Sequence, residues 1–196
     1  MRGVVRKSAP GVKAGKVQKK NRTALSPDIY EHDFERIVFH RMRPMKGYYH
    51  PVSVTDLKRF IRLIPDWDES FADIRAVVLT SGHEWRAGLY DVRSVIKLDA
   101  WPKEEEIWVG TTSRWLVEQM GVEILDKGDP YVRLTPSQVR CYQLLATFLH
   151  ELGHHADRVG TRRKKDCGGG ERFAVAYELR RQQELWDAYV REFGAP

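Results

Sequence analysis

The chain has 196 residues, of which 42% are hydrophobic and 31% charged, a balance that suits one compact domain with a sizeable core. Aromatic residues make up 11%, six of them Trp, which argues against disorder over most of the length; no run of 18 apolar residues is present, which excludes a helical membrane span. The basic N-terminus lacks the apolar core of a secretory signal, and Cys141 and Cys167 form neither a disulfide framework nor a C-x-x-C zinc ribbon, so a reducing cytoplasm is the expected compartment.

The net charge of +6 is local rather than global. Residues 1–22 hold Arg2, Arg6, Lys7, Lys13, Lys16, Lys19, Lys20 and Arg22 and no acid. Removing those eight from 33 leaves 25 basic against 27 acidic residues, so the remainder carries −2. We read residues 1–27 as a flexible basic tail and 28–196 as the folded domain. Such a tail is a solubilising leader, or a weak contact for nucleic acid or another anionic surface.

In chain order, Arg36 to Met42 is a strand or a short helix, and Tyr48-Tyr49-His50-Pro51 reads as loop. Ser53 or Thr55 then caps a helix whose apolar positions Leu57, Phe60, Ile61 and Ile64 follow helical spacing up to Pro65. Ile74 to Thr80 reads as a central strand buried on both faces. Ala87 to Val92, Ser94 to Leu98 and Glu106 to Val109 follow as an antiparallel hairpin set. Trp115 to Met120 is ambiguous, Lys127 to Pro130 is a turn, and Tyr131 to Leu134 is extended. Thr135-Pro136 opens a long helix that runs to about Val159, where Gly160 stops it. A final amphipathic helix spans about Glu171 to Phe193.

Near the end of the long helix stands His150-Glu151-Leu152-Gly153-His154. Positions four apart share a helix face, so His150 and His154 can turn imidazole nitrogens towards one metal ion. Glu151, about 100° around, reaches a water at that ion without being a ligand. Pentads of this kind also arise by chance on surface helices, so the faces of the helix matter. At 100° per residue, Leu145, Leu149, Leu152, Ala156 and Val159 form one apolar stripe. The histidines fall opposite it with Gln143, Ala146, Thr147 and Asp157, and no Lys or Arg occurs from 141 to 157. That is a helix with two buried faces, one of them the floor of a cleft.

Two histidines and a water leave zinc one protein ligand short of a tetrahedron. His32, His40, His50 and His83 are poorly placed, and His155 points a quarter turn away as an outer or surface residue. Asp157, one turn past His154, is placed to ligate or, the commoner role for an outer carboxylate, to orient an imidazole. Glu171 is the better candidate. It begins the last helix, whose face continues through Val175, Glu178, Leu179, Gln182 and Trp186 and has the pentad helix to pack against. Ala174 allows close approach, and Glu178 is the next choice of ligand or, like Asp157, a residue placed behind the ligands. Complementing the helix dipole is the competing role for Glu171.

With these residues in hand, the chain resembles the zincin metallopeptidases, and among them the Glu-zincin group. The matching positions are His150, Glu151 and His154 on one helix, then Glu171 with Ala174 three residues on. Gly88-Leu89-Tyr90 followed by Ser94 to Leu98 is similar to the family's edge-strand region, which aligns an extended substrate by strand addition. The similarity covers about residues 73–180. Where such families often carry Asp or Asn four residues after the Glu ligand, this chain has Val175.

The resemblance implies a small α+β domain, with a mixed or antiparallel sheet packed on an active-site helix and a C-terminal helix. It implies one zinc ion held by His150, His154 and Glu171, Glu151 as general base, and a peptide or protein substrate. His155, Tyr177 and Tyr131 are the candidate donors to an oxyanion. The competing expectation is a nucleic-acid-associated or regulatory protein with a structural or vestigial metal site, for which Asp157 or Cys167 would complete a closed ligand set.

Overall fold

A computed structural model describes residues 37–83, 86–103, 107–108, 114–122, 131–160 and 169–196, together with four backbone positions near the N-terminus. Those four form β1 (Val12–Lys13) and β2 (Lys16–Val17), an antiparallel pair with Val12 opposite Val17. The rest of the expected tail, the boundary at residue 27 and the turn at Lys127 to Pro130 lie outside the described residues, as do His32 and Cys167. Among the described residues no helix is long and apolar enough to cross a membrane.

The remaining elements give an α+β architecture. β3 (Val38–Arg41) and β4 (Tyr48–Tyr49) come first. α1 (Val54–Ile61) begins with a capping box in which Ser53 Oγ accepts from Asp56 N and Asp56 accepts from Ser53 N. A short α2 (Trp67–Ser70) follows. Next come β5 (Ala76–Leu79), β6 (Gly88–Asp91), β7 (Val95–Leu98), β8 (Trp101–Pro102) and β9 (Ile107–Trp108), then α3 (Arg114–Gln119) and β10 (Tyr131–Val132). The last three elements are α4 (Pro136–Tyr142), α5 (Leu149–Gly160) and the long α6 (Gly170–Phe193). Between α4 and α5, Gln143–Phe148 winds as a π-helix.

The main sheet is mixed, in the order β3-β5-β7-β6. β5 pairs parallel with both β3 and β7, and only β6 runs antiparallel, to β7. The expected antiparallel set is therefore correct for the β6–β7 hairpin alone. The continuous apolar run of β5, every residue buried, is what a central parallel strand requires. Tyr48-Tyr49 is not loop but pairs with Trp101–Pro102, and β9 pairs with β10 away from the main sheet. Alternation divides the sheet faces: Val77, Leu79, Ile96 and Leu98 point into the helical core, while Ala76, Val78 and Val95 pack with Val38 and Met42 on the far side.

The expected single long helix is interrupted. Six consecutive residues, Gln143 to Phe148, are buried on all sides, and their wider π turns shift the phase of everything after them. The stripe nevertheless ends early: Leu145, Leu149 and Leu152 are fully buried, but Val159, next to the last residue of α5, is 50% exposed. α4 itself starts as expected, with Thr135 capping, Gln138 closing the box and Pro136 in the first turn.

α5 and α6 pack backbone to backbone at Gly153. A Cβ there would lie 2.8 Å from Ala174 Cα and 3.1 Å from Ala174 O, neither of which can swing aside. Gly160, in the same helix, has nothing within 4 Å of that position. Gly153→Ala is therefore expected to cost roughly 1–3 kcal/mol, whereas Gly160→Ala is neutral or slightly stabilising. Urea denaturation of the two variants checks this; equal stabilities would contradict the close packing.

Candidate metal centre

The pentad lies on α5 with the phase that brings both histidines onto the side facing α6. His150 Nε2 and His154 Nε2 face each other at 3.2 Å. Glu171, the second residue of α6, turns one carboxylate oxygen to each: Oε2 lies 3.1 Å from His150 Nε2 and Oε1 lies 3.3 Å from His154 Nε2. Taking one ligand atom from each residue, all three lie within 4.8 Å of one another, and this is the one such group among the described residues. Donors about 2.0–2.1 Å from a tetrahedral zinc stand roughly 3.3 Å apart. The closest separations match that edge, and two imidazoles with one carboxylate are a donor set zinc accepts. The Glu171 side chain is 77% exposed, so the group opens to solvent on one side.

Glu178, the expected second choice of ligand, does other work. Its Oε2 accepts from His150 Nδ1 at 3.1 Å, leaving the Nε2 lone pair to point at the other donors. Glu178 is thus the orienting carboxylate, a role expected first of Asp157 and open to Glu178 as well. Asp157 instead accepts from Gly169 N and Gly170 N, both at 2.8 Å. It is buried and satisfies the free amides at the start of α6, fixing the turn from which Glu171 projects. The α6 face also differs from the expected one. Ala174, Glu178 and Gln182 are buried against α5, while Val175, Leu179 and Trp186 lie at its margins.

His155 is neither a surface residue nor an oxyanion donor. It is 1% exposed, donates from Nε2 to Ala72 O at 2.7 Å and accepts at Nδ1 from Tyr90 Oη at 3.0 Å. Tyr90 Oη in turn accepts from Arg158 at 3.1 Å, so the imidazole ties α5 to β6 and to the turn after α2. Burial lowers its pKa, in keeping with that neutral form. Tyr177 is also buried, with its hydroxyl 3.4 Å from Ser70 Oγ and its ring stacked on Phe173. It holds α6 to α2 and is not an oxyanion donor. The Tyr131 side chain lies outside the described residues.

Glu151 is 7% exposed and sits against β6, the end strand of the main sheet. A Cβ on Gly88 would meet Thr147 Cγ2 at 2.6 Å and Glu151 Oε1 at 3.0 Å, so only glycine lets the strand lie this close. Burial pushes the Glu151 pKa up to about 7, against smaller opposing effects of His150, the Tyr90 backbone amide and Arg86. Burial also draws His150 down, but its bond to Glu178 and the nearby carboxylates outweigh that and leave it raised. His154 is lowered, burial again being the largest cause.

Sequence reasoning missed Gln182 and Tyr90. Gln182 Nε2 donates to Glu178 Oε1 at 2.7 Å, and the signal was the four-residue spacing from Glu178 on one face of α6. Comparisons with family models, with curated proteins and with solved structures return no match.

The Glu151 shift has a signed consequence in the metal-free protein. Between the ordinary 4.5 and about 7 the folded state keeps a proton that the unfolded state has released. Stability therefore falls as pH rises through that window, by about 3 kcal/mol in all. Urea midpoints taken with a chelator should show this decline in the wild type and a flatter profile in Glu151→Gln. Equal slopes would contradict the assignment.

Proposed function

We propose that this chain is a zinc-dependent hydrolase of zincin type, a metallopeptidase with Glu151 as its general base. The observation that carries the proposal is the meeting of His150, His154 and Glu171 from two helices at 3.1–3.3 Å. The buried carboxylate of Glu151 stands one residue from His150. His150, His154 and Glu171 would hold the ion, which would supply Lewis acidity to a scissile carbonyl and to an attacking water.

Glu151 accepts the proton of that water and delivers it to the leaving amine. A resting pKa near 7 in the protein alone suits a group that must both take and return a proton, and a cation beside it favours the ionised form. Gly88 keeps β6 tight against this carboxylate. The Tyr90 backbone amide bonds to it as well, so β6 and the general base are in direct contact. An extended peptide added to β6 would place its backbone there, the mode of recognition we propose for a peptide or protein substrate. A closed structural site completed by Asp157 is disfavoured, because that carboxylate is committed to the α6 amides and Glu171 remains open to solvent.

Two variants test this. Glu151→Gln is expected to keep one zinc per chain while losing at least about 100-fold in peptide hydrolysis, the scale of general base catalysis. Glu171→Ala is expected to lose zinc on dialysis. Metal analysis and turnover of a peptide library check both. Full activity in Glu151→Gln, or full zinc retention in Glu171→Ala, would overturn the roles assigned.

A further inference from the structure

On the reading that His150, His154 and Glu171 hold zinc, α6 carries more than a ligand. Glu171, Glu178 and Gln182 stand at intervals of seven and four residues, which helical geometry places on one face. The first meets the Nε2 atoms of both histidines and the second accepts from His150 Nδ1. The third donates to the remaining oxygen of the second at 2.7 Å. Glu178 is 3% and Gln182 0% exposed, so water does not offer an easy substitute for either bond.

Gln182 is informative because its amide is only half used. Nε2 is bonded, whereas Oε1 is buried with no hydrogen-bond partner. A buried acceptor left bare costs on the order of 1–3 kcal/mol, so a side chain kept for stability alone would be apolar here. What the amide supplies is its donor end, aimed at Glu178 Oε1.

We infer that Gln182 is a positioning residue for the metal centre: through Glu178 it fixes the tautomer and ring orientation of His150 that leave Nε2 free to ligate. Removing the amide takes away the donor that holds Glu178 Oε1 at 2.7 Å. The carboxylate then turns away from His150 Nδ1, and the imidazole can place its proton on Nε2, where it blocks ligation. Carboxylates behind ligating histidines are commonly worth 10–100-fold in metal affinity, and the residue that fixes such a carboxylate shares that effect.

The test uses full-length Gln182→Met, with Gln182→Leu as the second variant should the first fail to fold. Circular dichroism establishes that each is folded. Zinc affinity is read by competition with a chromophoric chelator, and the His150 tautomer by long-range proton–nitrogen NMR of the metal-free protein. The expected result is zinc binding weakened about 10–100-fold, with His150 passing from the Nδ1-protonated form in the wild type to a tautomer mixture. Affinity within about twofold of wild type overturns the inference while leaving the zinc reading intact. Weaker binding with an unchanged tautomer also overturns it, since the loss then comes from packing. A wild type that takes no zinc defeats the functional reading instead, and the tautomer comparison still decides the role of Gln182.

Discussion

The arrangement rests on one close contact, the backbone of α5 against that of α6 at Gly153 and Ala174. Helices carrying ordinary side chains at the crossing stay 8–10 Å apart at their axes. With hydrogen at one crossing position and a methyl at the other, Ala174 Cα sits where any Cβ on residue 153 would have to go. Glu171, three residues before Ala174, is thereby brought onto both histidines, and Glu178, four residues after it, reaches the back of His150. A side chain at 153 would push all these groups apart together. Asp157 closes the same unit from the other end by holding the first amides of α6.

A second glycine does the same on the opposite side of the pentad. Gly88 lets β6 lie against Thr147 and Glu151, and this contact helps to strip water from the Glu151 carboxylate. The raised pKa of that group follows from the packing rather than from a neighbouring charge, because burial is its largest cause. The π turns before α5 contribute by setting which residues of the pentad helix face the sheet and which face α6. Such turns are found disproportionately at functional sites, where they re-aim side chains that a regular helix would misplace.

Much of this was legible in the chain because it follows from local rules. The i, i+4 histidines, the Thr135-Pro136 start, the Ser53 cap and the buried run of β5 each depend on neighbours a few residues away. The choice of Glu171 was accessible because Ala174 marks a close crossing. What was not legible depends on partners distant in sequence. The parallel pairing of β5 with β3 and β7 is decided by crossover connections rather than by composition. Asp157 holds the first amides of α6 and Glu178 stands behind His150, an ordering a helical wheel misses because it ranks carboxylates by angle on one helix. Which carboxylate reaches an imidazole is decided by where the second helix begins. His155 looked peripheral because its partners, Ala72 and Tyr90, lie 83 and 65 residues earlier. The π segment has no signature in a 100° projection, and Val159 is exposed because it lies next to the end of α5, beyond the core.

The central claim is an open zinc site built from two imidazoles and one carboxylate, and zinc K-edge absorption spectroscopy of the stoichiometric complex tests it most directly. The account predicts two imidazole nitrogens and carboxylate oxygen at about 2.0–2.1 Å, with the remaining coordination filled by a light atom that exogenous anions displace. A sulfur shell near 2.3 Å, or a fourth protein ligand that no exogenous anion displaces, would contradict it.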